Sequence, residues 1–358
     1  MAELPDPFNV LVAAPIDQAT IDRIEAVAPG RVKVYAIWDD LQPELAEEWP
    51  PETMARRGSK NPPTRSREEL EAIVQAGNAV IIGVPWPIAM PSRMPNLIWG
   101  HLPAAGVSNL KGTPWWEGKA VLTSARGSSS AIPIAESAIA GAFMLARRLE
   151  VAVRQTDARA LDPQPYGGTM RVLHGKTMGI VGMGGIGREV ARMARGVGMR
   201  VIATRHSAKE RQFDVDEVDV LMPPSETHDL LAESDFICVC AMWTPETEKM
   251  LDRAAFDAVK PGAYFLNIAR GEIVDELAMV DALKDGRLGG AYIDVWWDDT
   301  SSLPLPELIS APNLIMTPHV SGGADGDYRG GMTVFCENLD RLLKGEPMLN
   351  IVDWERGY

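Results

Sequence analysis

The chain has 358 residues, 46% of them hydrophobic and 23% charged, which is typical of a folded protein large enough for two domains. Its formal net charge of −14 argues against nucleic acid as a partner. The first residues lack a basic leader, and no apolar run reaches the length that crosses a membrane. The sequence therefore predicts a cytoplasmic protein that does not bind membranes.

The first part of the chain alternates between apolar runs of strand length and helical patterns. The strand candidates span residues 8–14, 32–37 and 79–84, and helical spacing at 21–27 and 68–76 separates them. This alternation predicts a parallel sheet covered by helices on both faces, which is an α/β unit.

Residues 39–67 interrupt this alternation with many Pro, Glu, Arg and Lys residues, so we expect a surface loop or insertion there. The next strand candidate, 97–110, ends in the small residues Ala104-Ala105-Gly106. A turn of small residues lets backbone amides approach a ligand, although a plain tight turn explains it as well. A strand at 120–123 precedes a helix at 134–149 that is apolar nearly all round. We expect that helix to be buried between domains or against a second subunit.

A glycine-rich motif follows the apolar run at residues 178–181. It reads Gly182-Met183-Gly184-Gly185-Ile186-Gly187 and leads into a helical pattern that ends near Gly196, with a second apolar strand at 201–203. A lone G-x-G-x-x-G is a weak signal, but one flanked by strand, helix and strand within about 30 residues is typical of a dinucleotide-binding turn.

Three of these glycines have separate roles in such a turn. Gly182 permits the tight turn, Gly184 lets the backbone approach a pyrophosphate, and Gly187 lets the helix pack close to the strand. The N–H groups of Gly185 and Ile186 begin a helix whose positive end faces that pyrophosphate.

Beyond this motif the alternation continues to the end of the chain. Further strand candidates span residues 218–221, 236–240, 263–268, 290–294 and 314–317. A helix is predicted at Asp275–Asp285, with Asp275 as its N-cap and Gly286 after its end. A final helix is predicted at Tyr328–Leu343. The histidines and the three cysteines lack the spacing of metal ligands, so we expect no metal.

Three polar side chains come just after predicted strands, where open α/β sheets bind their ligands: Arg270, Asp294 and His319. Asp298 and Asp299 follow Asp294 closely. Together these residues supply a cation for a carboxylate, a proton donor and acceptor, and a carboxylate that can orient the donor. That set is the one needed to reduce a 2-keto acid with a hydride.

With these residues in place, the chain resembles the D-isomer-specific 2-hydroxyacid dehydrogenases. The pieces that carry the resemblance match in order and spacing over most of the chain: AAGV at 104–107, PIAE at 133–136, IVGMGGIGREVA at 180–191, TPET at 244–247, LNIARGEIVDE at 266–276, IDV at 293–295 and TPHVSG at 317–322.

The resemblance implies two doubly wound parallel-sheet domains. A Rossmann coenzyme domain at 128–322 is inserted in a discontinuous, flavodoxin-like substrate domain made of 1–127 and 323–358. It also implies a homodimer formed through the coenzyme domain, with a 2-keto or D-2-hydroxy acid as the small-molecule partner.

The resemblance also implies roles for single residues. Arg270 would bind the substrate carboxylate and polarise the keto oxygen, and His319 would be the acid/base. Ala105 and Gly106 would offer backbone amides to the carboxylate, and Asp294 would hold the nicotinamide amide. The implied cofactor-binding positions are Gly182, Gly184, Gly185, Ile186, Gly187, Thr244, Thr247, Ala269 and Asp294.

Two positions depart from the family pattern. The usual carboxylate partner of the catalytic His is a Glu, and its spacing from Arg270 falls here on Asp299, whose side chain is one methylene shorter. Asp298 is an alternative partner. The second departure is Arg205, where a member that prefers NAD would have Asp or Glu.

Arg205 favours NADP as the cofactor, because a guanidinium attracts a 2′-phosphate that a carboxylate repels. Ser207 and Lys209 add a hydroxyl and a second cation nearby. NAD stays the alternative if Arg205 points into solvent and the cofactor is held through backbone contacts.

The sequence therefore predicts an NAD(P)-dependent oxidoreductase that acts on 2-keto or D-2-hydroxy acids without identifying the acid. One alternative is formate oxidation on the same scaffold, which would resemble relatives with Gln in place of the His-partner carboxylate and Asn at the position of Ser130. The other alternative is a dinucleotide-sensing protein without turnover. The altered Asp299 leaves room for it, whereas Arg270 and His319 argue against it.

Overall fold

The computed structural model describes residues 4–107, 110–118, 121–126, 131–325 and 331–355. The chain forms two compact units. The first unit contains residues 1–130, 300–302 and 329–358, and the second contains 131–299 and 303–328. Within the described ranges, no helix is both long enough and apolar enough to span a bilayer.

The first unit opens with five parallel strands and the helices between them. In chain order its elements are β1 (Phe8–Ala13), α1 (Gln18–Glu25), β2 (Val32–Ala36), α2 (Gln42–Glu48), α3 (Pro51–Arg57), α4 (Arg67–Ala76), β3 (Ala79–Ile82), α5 (Met90–Arg93), β4 (Trp99–Leu102), α6 (Pro114–Glu117) and β5 (Val121–Ser124). The sheet order β2-β1-β3-β4-β5 is the flavodoxin-like doubly wound order. The predicted parallel α/β sheet is therefore confirmed.

The expectation of a loop at residues 39–67 is wrong. The helices α2 and α3 fill much of this segment, and Ser66 caps α4 by accepting from the amide of Glu69. Proline stands in the first turn of both α2 and α3, where its missing N–H is not needed. The segment is also anchored, because Trp49 is buried and its Nε1 donates to the carbonyl of Trp86 at 2.8 Å.

The second unit contains a sheet of eight strands. Its elements are α7 (Ala131–Arg147), α8 (Leu149–Asp157), β6 (Thr177–Val181), α9 (Gly185–Gly196), β7 (Arg200–Thr204), β8 (Gln212–Val215), β9 (Val218–Met222), α10 (Thr227–Glu233), β10 (Phe236–Val239), α11 (Arg253–Ala258), β11 (Ala263–Asn267), α12 (Glu276–Lys284), β12 (Leu288–Ile293), α13 (Pro306–Ile309) and β13 (Leu314–Met316).

The strand order of the second unit is β13-β12-β11-β10-β6-β7-β9-β8. All neighbours run parallel except β8 and β9. The order reverses between β6 and β10, which is the topological switch point where doubly wound sheets bind dinucleotides. The predicted α/β fold class is confirmed here as well, and Asp275 caps α12 through the amide of Ala278 as expected.

One strand of this unit was not predicted, and one predicted helix has packing partners that the sequence did not identify. The chain between β7 and β9 contains the strand β8, which the apolar pattern did not predict because its residues are largely exposed. The helix α7 packs against α9, β11 and β12 of its own unit, and its expected burial between domains or against a second subunit stays a prediction.

The helix α14 (Gly331–Lys344) belongs to the first unit and precedes the final segment of the chain. The first residues of the predicted helix, 328–330, lie outside the described residues. Near the start of α14, His101 Nε2 donates to the carbonyl of Gly331 at 3.0 Å, and Nδ1 lies 2.8 Å from the hydroxyl of Thr123. His101 is fully buried, and this burial lowers its pKa from 6.5 to about 4.

Candidate active site

The glycine-rich turn lies between β6 and α9, beside the end of β10. Gly182 has φ +103°, and a Cβ there would lie 2.6 Å from the backbone of Ala241. A Cβ on Gly187 would lie 2.5 Å from the carbonyl oxygen of Gly182. Side chains at these two positions would therefore force the strand, the turn and the helix apart.

The N-terminus of α9 is open to a ligand. Gly184 is its N-cap and supplies no capping side chain, so the first-turn amides that include Gly185 and Ile186 have no intrahelical partner. A Cβ built on Gly184 would meet nothing within 4 Å. Unpaired amides at the positive end of a helix beside open space fit the pyrophosphate of a dinucleotide.

The loop after β10 carries Thr244 and Thr247. The Thr247 hydroxyl donates to the carbonyl of Met242 at 2.6 Å and accepts from the amide of Thr244 at 2.8 Å. These bonds fix the loop at the carboxyl end of the strand next to the switch point. Both threonines therefore lie at the sheet edge where the sequence predicts cofactor contacts.

Arg205 follows β7 and makes an ion pair with Asp216, in the turn between β8 and β9. Arg188 of α9 binds the other carboxylate oxygen of Asp216 at 2.8 Å. Arg188 and Arg205, in that order of effect, hold the pKa of Asp216 below its ordinary value. The roles of Arg188 and Asp216 were not predicted from the sequence, because nothing in the linear order places the Asp216 carboxylate beside Arg205. Ser207 is exposed nearby in the chain.

Arg270 lies beyond the end of β11 in a turn shaped by Asn267. The Asn267 side chain donates to the carbonyl of Arg270 at 3.0 Å and accepts from the amide of Ala269 at 3.1 Å. Arg270 itself is partly exposed, and its Nη1 donates to the carbonyl of Ala269 at 2.7 Å. The buried Asn267 therefore holds the backbone from which the guanidinium projects.

His319 and Asp299 are in direct contact. His319 Nδ1 donates to Asp299 Oδ1 at 3.1 Å, and Oδ2 lies 2.9 Å away. The Asp299 side chain is 7% exposed and that of His319 is 29% exposed. Asp298 has a different contact, because its backbone N–H donates to Glu272 Oε1 at 3.1 Å. Asp299 is therefore a direct partner of the imidazole, as its spacing from Arg270 predicted.

The loop that carries His319 is held by Asp294 at the end of β12. The buried carboxylate of Asp294 accepts from the Thr317 hydroxyl at 2.5 Å and from the amides of Val320 and Ser321 at 2.9 and 3.0 Å. Its backbone carbonyl accepts from the amide of His319 at 2.8 Å, where His319 has φ +54°. Asp294 thus fixes the backbone under the imidazole, and its predicted contact with a nicotinamide amide stays a prediction.

Two buried glutamates, which sequence reasoning missed, hold the segment before Asp299. Glu276 Oε1 accepts from the amide of Trp297 at 2.6 Å, and Glu272 binds the amide of the next residue. Burial raises the pKa of both carboxyls. The backbone of Gly271 also packs closely against this segment, since a Cβ on Gly271 would lie 2.3 Å from the backbone nitrogen of Trp297. The signal in the sequence was the motif ARGEIVDE itself, in which both glutamates stand.

The remaining predicted residues have simpler surroundings. Ala105 and Gly106 lie in the first unit, in the bend and the short segment that follow β4. Ser130 lies outside the described residues. Two tryptophans that were not among the predicted residues stand just before Asp298: Trp296 is buried in the core of the second unit, whereas Trp297 is 38% exposed. Among the described residues, no three His, Cys, Asp or Glu side chains gather as a metal site would require.

Arg270, Asp299 and His319 follow β11, β12 and β13, which are neighbours in the sheet. Parallel strands bring their carboxyl ends to one edge, so these side chains share the edge that the glycine-rich turn also borders. Fold and site together define a dinucleotide-binding α/β protein. A sequence model described as "D-isomer specific 2-hydroxyacid dehydrogenase, NAD binding domain" matches residues 139–321. The chain belongs to the D-isomer specific 2-hydroxyacid dehydrogenase family.

Similar proteins agree with this family. A glyoxylate reductase of Thermococcus kodakarensis is 36% identical over 183 residues, which cover 51% of this chain and 53% of the relative. A D-3-phosphoglycerate dehydrogenase of Archaeoglobus fulgidus is 29% identical over 349 residues, 97% of this chain and 59% of the relative. The chain thus spans a little over half the length of these relatives.

A solved structure shares the fold. It is a D-isomer specific 2-hydroxyacid dehydrogenase from Xanthobacter autotrophicus Py2 in complex with NADPH and MES. The TM-score is 0.72 at 22% identity, with 99% of this chain and 100% of that chain covered.

Proposed function

We propose that this protein is an NAD(P)-dependent oxidoreductase that interconverts 2-keto acids and D-2-hydroxy acids. The observation that carries the proposal is the His319–Asp299 contact, at the sheet edge that also presents Arg270. A His held by a carboxylate and a nearby guanidinium are the acid/base and the anion binder that carbonyl reduction needs. The glyoxylate reductase among the relatives supports the same class of substrate.

In reduction, Arg270 binds the substrate carboxylate and stabilises the negative charge that develops on the keto oxygen. His319, protonated, gives its Nε2 proton to that oxygen, and Asp299 stabilises the imidazolium while it holds the ring through Nδ1. NAD(P)H, when bound, would supply the hydride that the keto carbon receives. Oxidation of the hydroxy acid runs through the same residues in reverse.

The coenzyme role belongs to residues 128–322 and the substrate role to 1–127 with 323–358. The two compact units support this division, because the chain passes from one to the other at residues 130–131 and 328–329, with only residues 300–302 between these points assigned to the first unit. In the coenzyme domain the turn Gly182–Gly187 holds the pyrophosphate. Thr244, Thr247, Ala269 and Asp294 contact the rest of the dinucleotide, and in the substrate domain Ala105 and Gly106 offer amides to the substrate carboxylate.

The cofactor is NADP(H) in preference to NAD(H). Arg205 is the reason, because its guanidinium stands where a carboxylate would repel the 2′-phosphate. Ser207 adds a hydroxyl to the same stretch. The NADPH in the Xanthobacter structure supports this choice for a protein of the same fold.

The working form is a homodimer formed through the coenzyme domain. Large apolar side chains are exposed within one stretch of that domain, on α7, on α8 and in the segment after it: Phe143, Leu149, Val153, Leu161, Met170 and Val172. A second copy would bury such a set. The three cysteines are free, which supports a reducing, cytoplasmic location.

The test is a panel of keto acids that includes glyoxylate, hydroxypyruvate, pyruvate and phenylpyruvate. Each is assayed by the loss of reduced-cofactor absorbance, with formate oxidation measured in parallel. We expect turnover with at least one keto acid and none with formate. Tight cofactor binding without turnover on any panel member would favour a dinucleotide sensor instead.

A further inference from the structure

The carboxylate of Asp216, in the hairpin between β8 and β9, binds two arginines at the edge of the coenzyme-domain sheet. Asp216 and Glu217 form the two-residue turn between the paired residues Val215 and Val218, and both have positive φ, +51° and +66°. That combination is typical of a type I′ turn, which matches the twist of the strands it joins. The turn therefore presents Asp216 from a defined backbone.

The two arginines come from the elements that flank the glycine-rich turn. Arg188 lies in the first turn of α9, and Arg205 follows β7. Each binds its own oxygen of the Asp216 carboxylate. The end of β7 is tied to the glycine-rich turn, because the carbonyl of Thr204 accepts from the amide of Met183 at 2.8 Å. The arginine pair is thus fixed relative to the residues that would hold the pyrophosphate.

Dinucleotide-binding sheets contact the adenosine ribose at the end of their second strand, which is β7 in this unit. Two guanidiniums there attract the dianionic 2′-phosphate of NADPH, whereas a carboxylate between them competes for both and repels that phosphate. A ribose hydroxyl, as in NADH, carries no charge and leaves the ion pairs in place. The carboxylate of Asp216 should therefore weaken the binding of NADPH without weakening that of NADH.

Building on the proposed function, we propose that Asp216 is a specificity-determining residue. Its carboxylate binds Arg188 and Arg205 and so lowers the affinity for the 2′-phosphate of NADPH. Binding of NADH, which lacks this phosphate, is not weakened, so NADH can compete as a cofactor. The 2′-phosphate takes the place of the carboxylate on at least one of the two guanidiniums when NADPH binds.

The test uses Asp216→Asn in the full-length protein, because Asn adopts positive φ readily and keeps the turn. Asp214→Asn is the matched control, since Asp214 lies in the same hairpin and also has φ +51°. The probes are 2′,5′-ADP and 5′-AMP, which differ by the 2′-phosphate alone. Their dissociation constants are measured by calorimetry, so that no turnover is needed.

We expect Asp216→Asn to bind 2′,5′-ADP about fivefold more tightly, the scale of one exposed ion pair, with 5′-AMP affinity unchanged. Asp214→Asn should change neither affinity. Arg188→Gln should weaken 2′,5′-ADP binding, because one cation is lost and the carboxylate stays on Arg205. If Asp216→Asn folds poorly, Asp216→Gly removes the same carboxylate and tolerates the positive φ, so it should show the same gain for 2′,5′-ADP.

Three outcomes would overturn the inference: no gain for 2′,5′-ADP in Asp216→Asn, an equal gain in Asp214→Asn, or an equal gain for 5′-AMP. If the native protein binds 5′-AMP and these results follow, the proposed coenzyme domain stands and only the role of Asp216 fails. If the native protein binds neither nucleotide, the proposed function fails and this inference with it.

Discussion

Asp299 Oδ1 accepts a hydrogen bond from His319 Nδ1, which leaves Nε2 as the ring nitrogen that faces away from the carboxylate. The bond fixes both the orientation of the ring and the nitrogen that can exchange a proton with substrate. The backbone of His319 is fixed as well, by the carbonyl of Asp294.

His319→Gln tests the acid/base directly. Gln cannot transfer a proton, so kcat with the best keto acid should fall by about 10²-fold or more. Cofactor affinity, measured by fluorescence titration, should stay close to native. Near-native turnover would remove His319 from the mechanism.

The paired variants Asp299→Asn and Asp298→Asn distinguish the neighbouring aspartates. Asp299 contacts the imidazole at Nδ1 and fixes the orientation of the ring. Asp299→Asn should therefore lower kcat/KM for reduction by about tenfold, because the ring is less firmly oriented, while Asp298→Asn leaves kcat/KM close to native. A loss of kcat/KM in Asp298→Asn alone would contradict this assignment.

Glu276 holds the segment before Asp299 through the amide of Trp297, but its buried charge lowers the free energy of unfolding of the protein. Burial raises its folded pKa above the ordinary 4.5, so its contribution to folding is present below that value and is lost as pH rises through the folded pKa. Glu276→Gln keeps an acceptor for the Trp297 amide but does not titrate. Chemical denaturation between pH 4.5 and 7 should show the variant gaining stability over the native protein as pH rises.

Glu276→Ala removes the acceptor and provides the contrast. We expect kcat to fall by about tenfold because Asp299 is less well placed, with cofactor affinity unchanged. Native kcat in the Ala variant would mean that the other contacts of this segment are enough to hold it.

His101 makes the first unit sensitive to acid. Its folded pKa of about 4 lies below the ordinary 6.5, so the unfolded chain takes up the proton first as pH falls. The stability that this group contributes is present above pH 6.5 and is lost as pH falls towards 4, by up to about 3 kcal/mol. His101→Gln keeps a donor towards Gly331 but does not titrate. Its free energy of unfolding should therefore change less over that window, and a change equal to that of the native protein would exclude His101 as the source.

Arg205→Ala tests the cofactor preference. The native protein should have the higher kcat/KM with NADPH, and the variant should lose NADPH efficiency while NADH efficiency changes little. The decisive comparison measures both reduced cofactors on one keto acid. A native preference for NADH, or an unchanged NADPH value in the variant, would contradict the proposal.

The sequence predicted those features of the molecule that depend on residues close together in the chain. The turn around Gly182 was recognisable because glycine spacing and apolar periodicity depend on neighbours in the chain. Arg270 and His319 were found because each directly follows an apolar strand.

Other features depend on residues far apart in the chain, and no linear pattern reveals them. The partners Asp216 and Arg188 meet Arg205 only because the hairpin folds back beside α9. The segment at 39–67 was misread because its polar composition hides the few apolar residues, such as Trp49, that anchor it.

The hairpin that carries Asp216 also ends the eight-stranded sheet. The strand β8 pairs with β9 on one side only, so its other row of backbone groups could template a further strand. The strand is four residues long, is mostly exposed, and contains Asp214 with its positive φ. These properties protect the molecule from edge-to-edge aggregation. They also predict that the amides of β8 exchange with solvent faster than those of β6, which has neighbours on both sides.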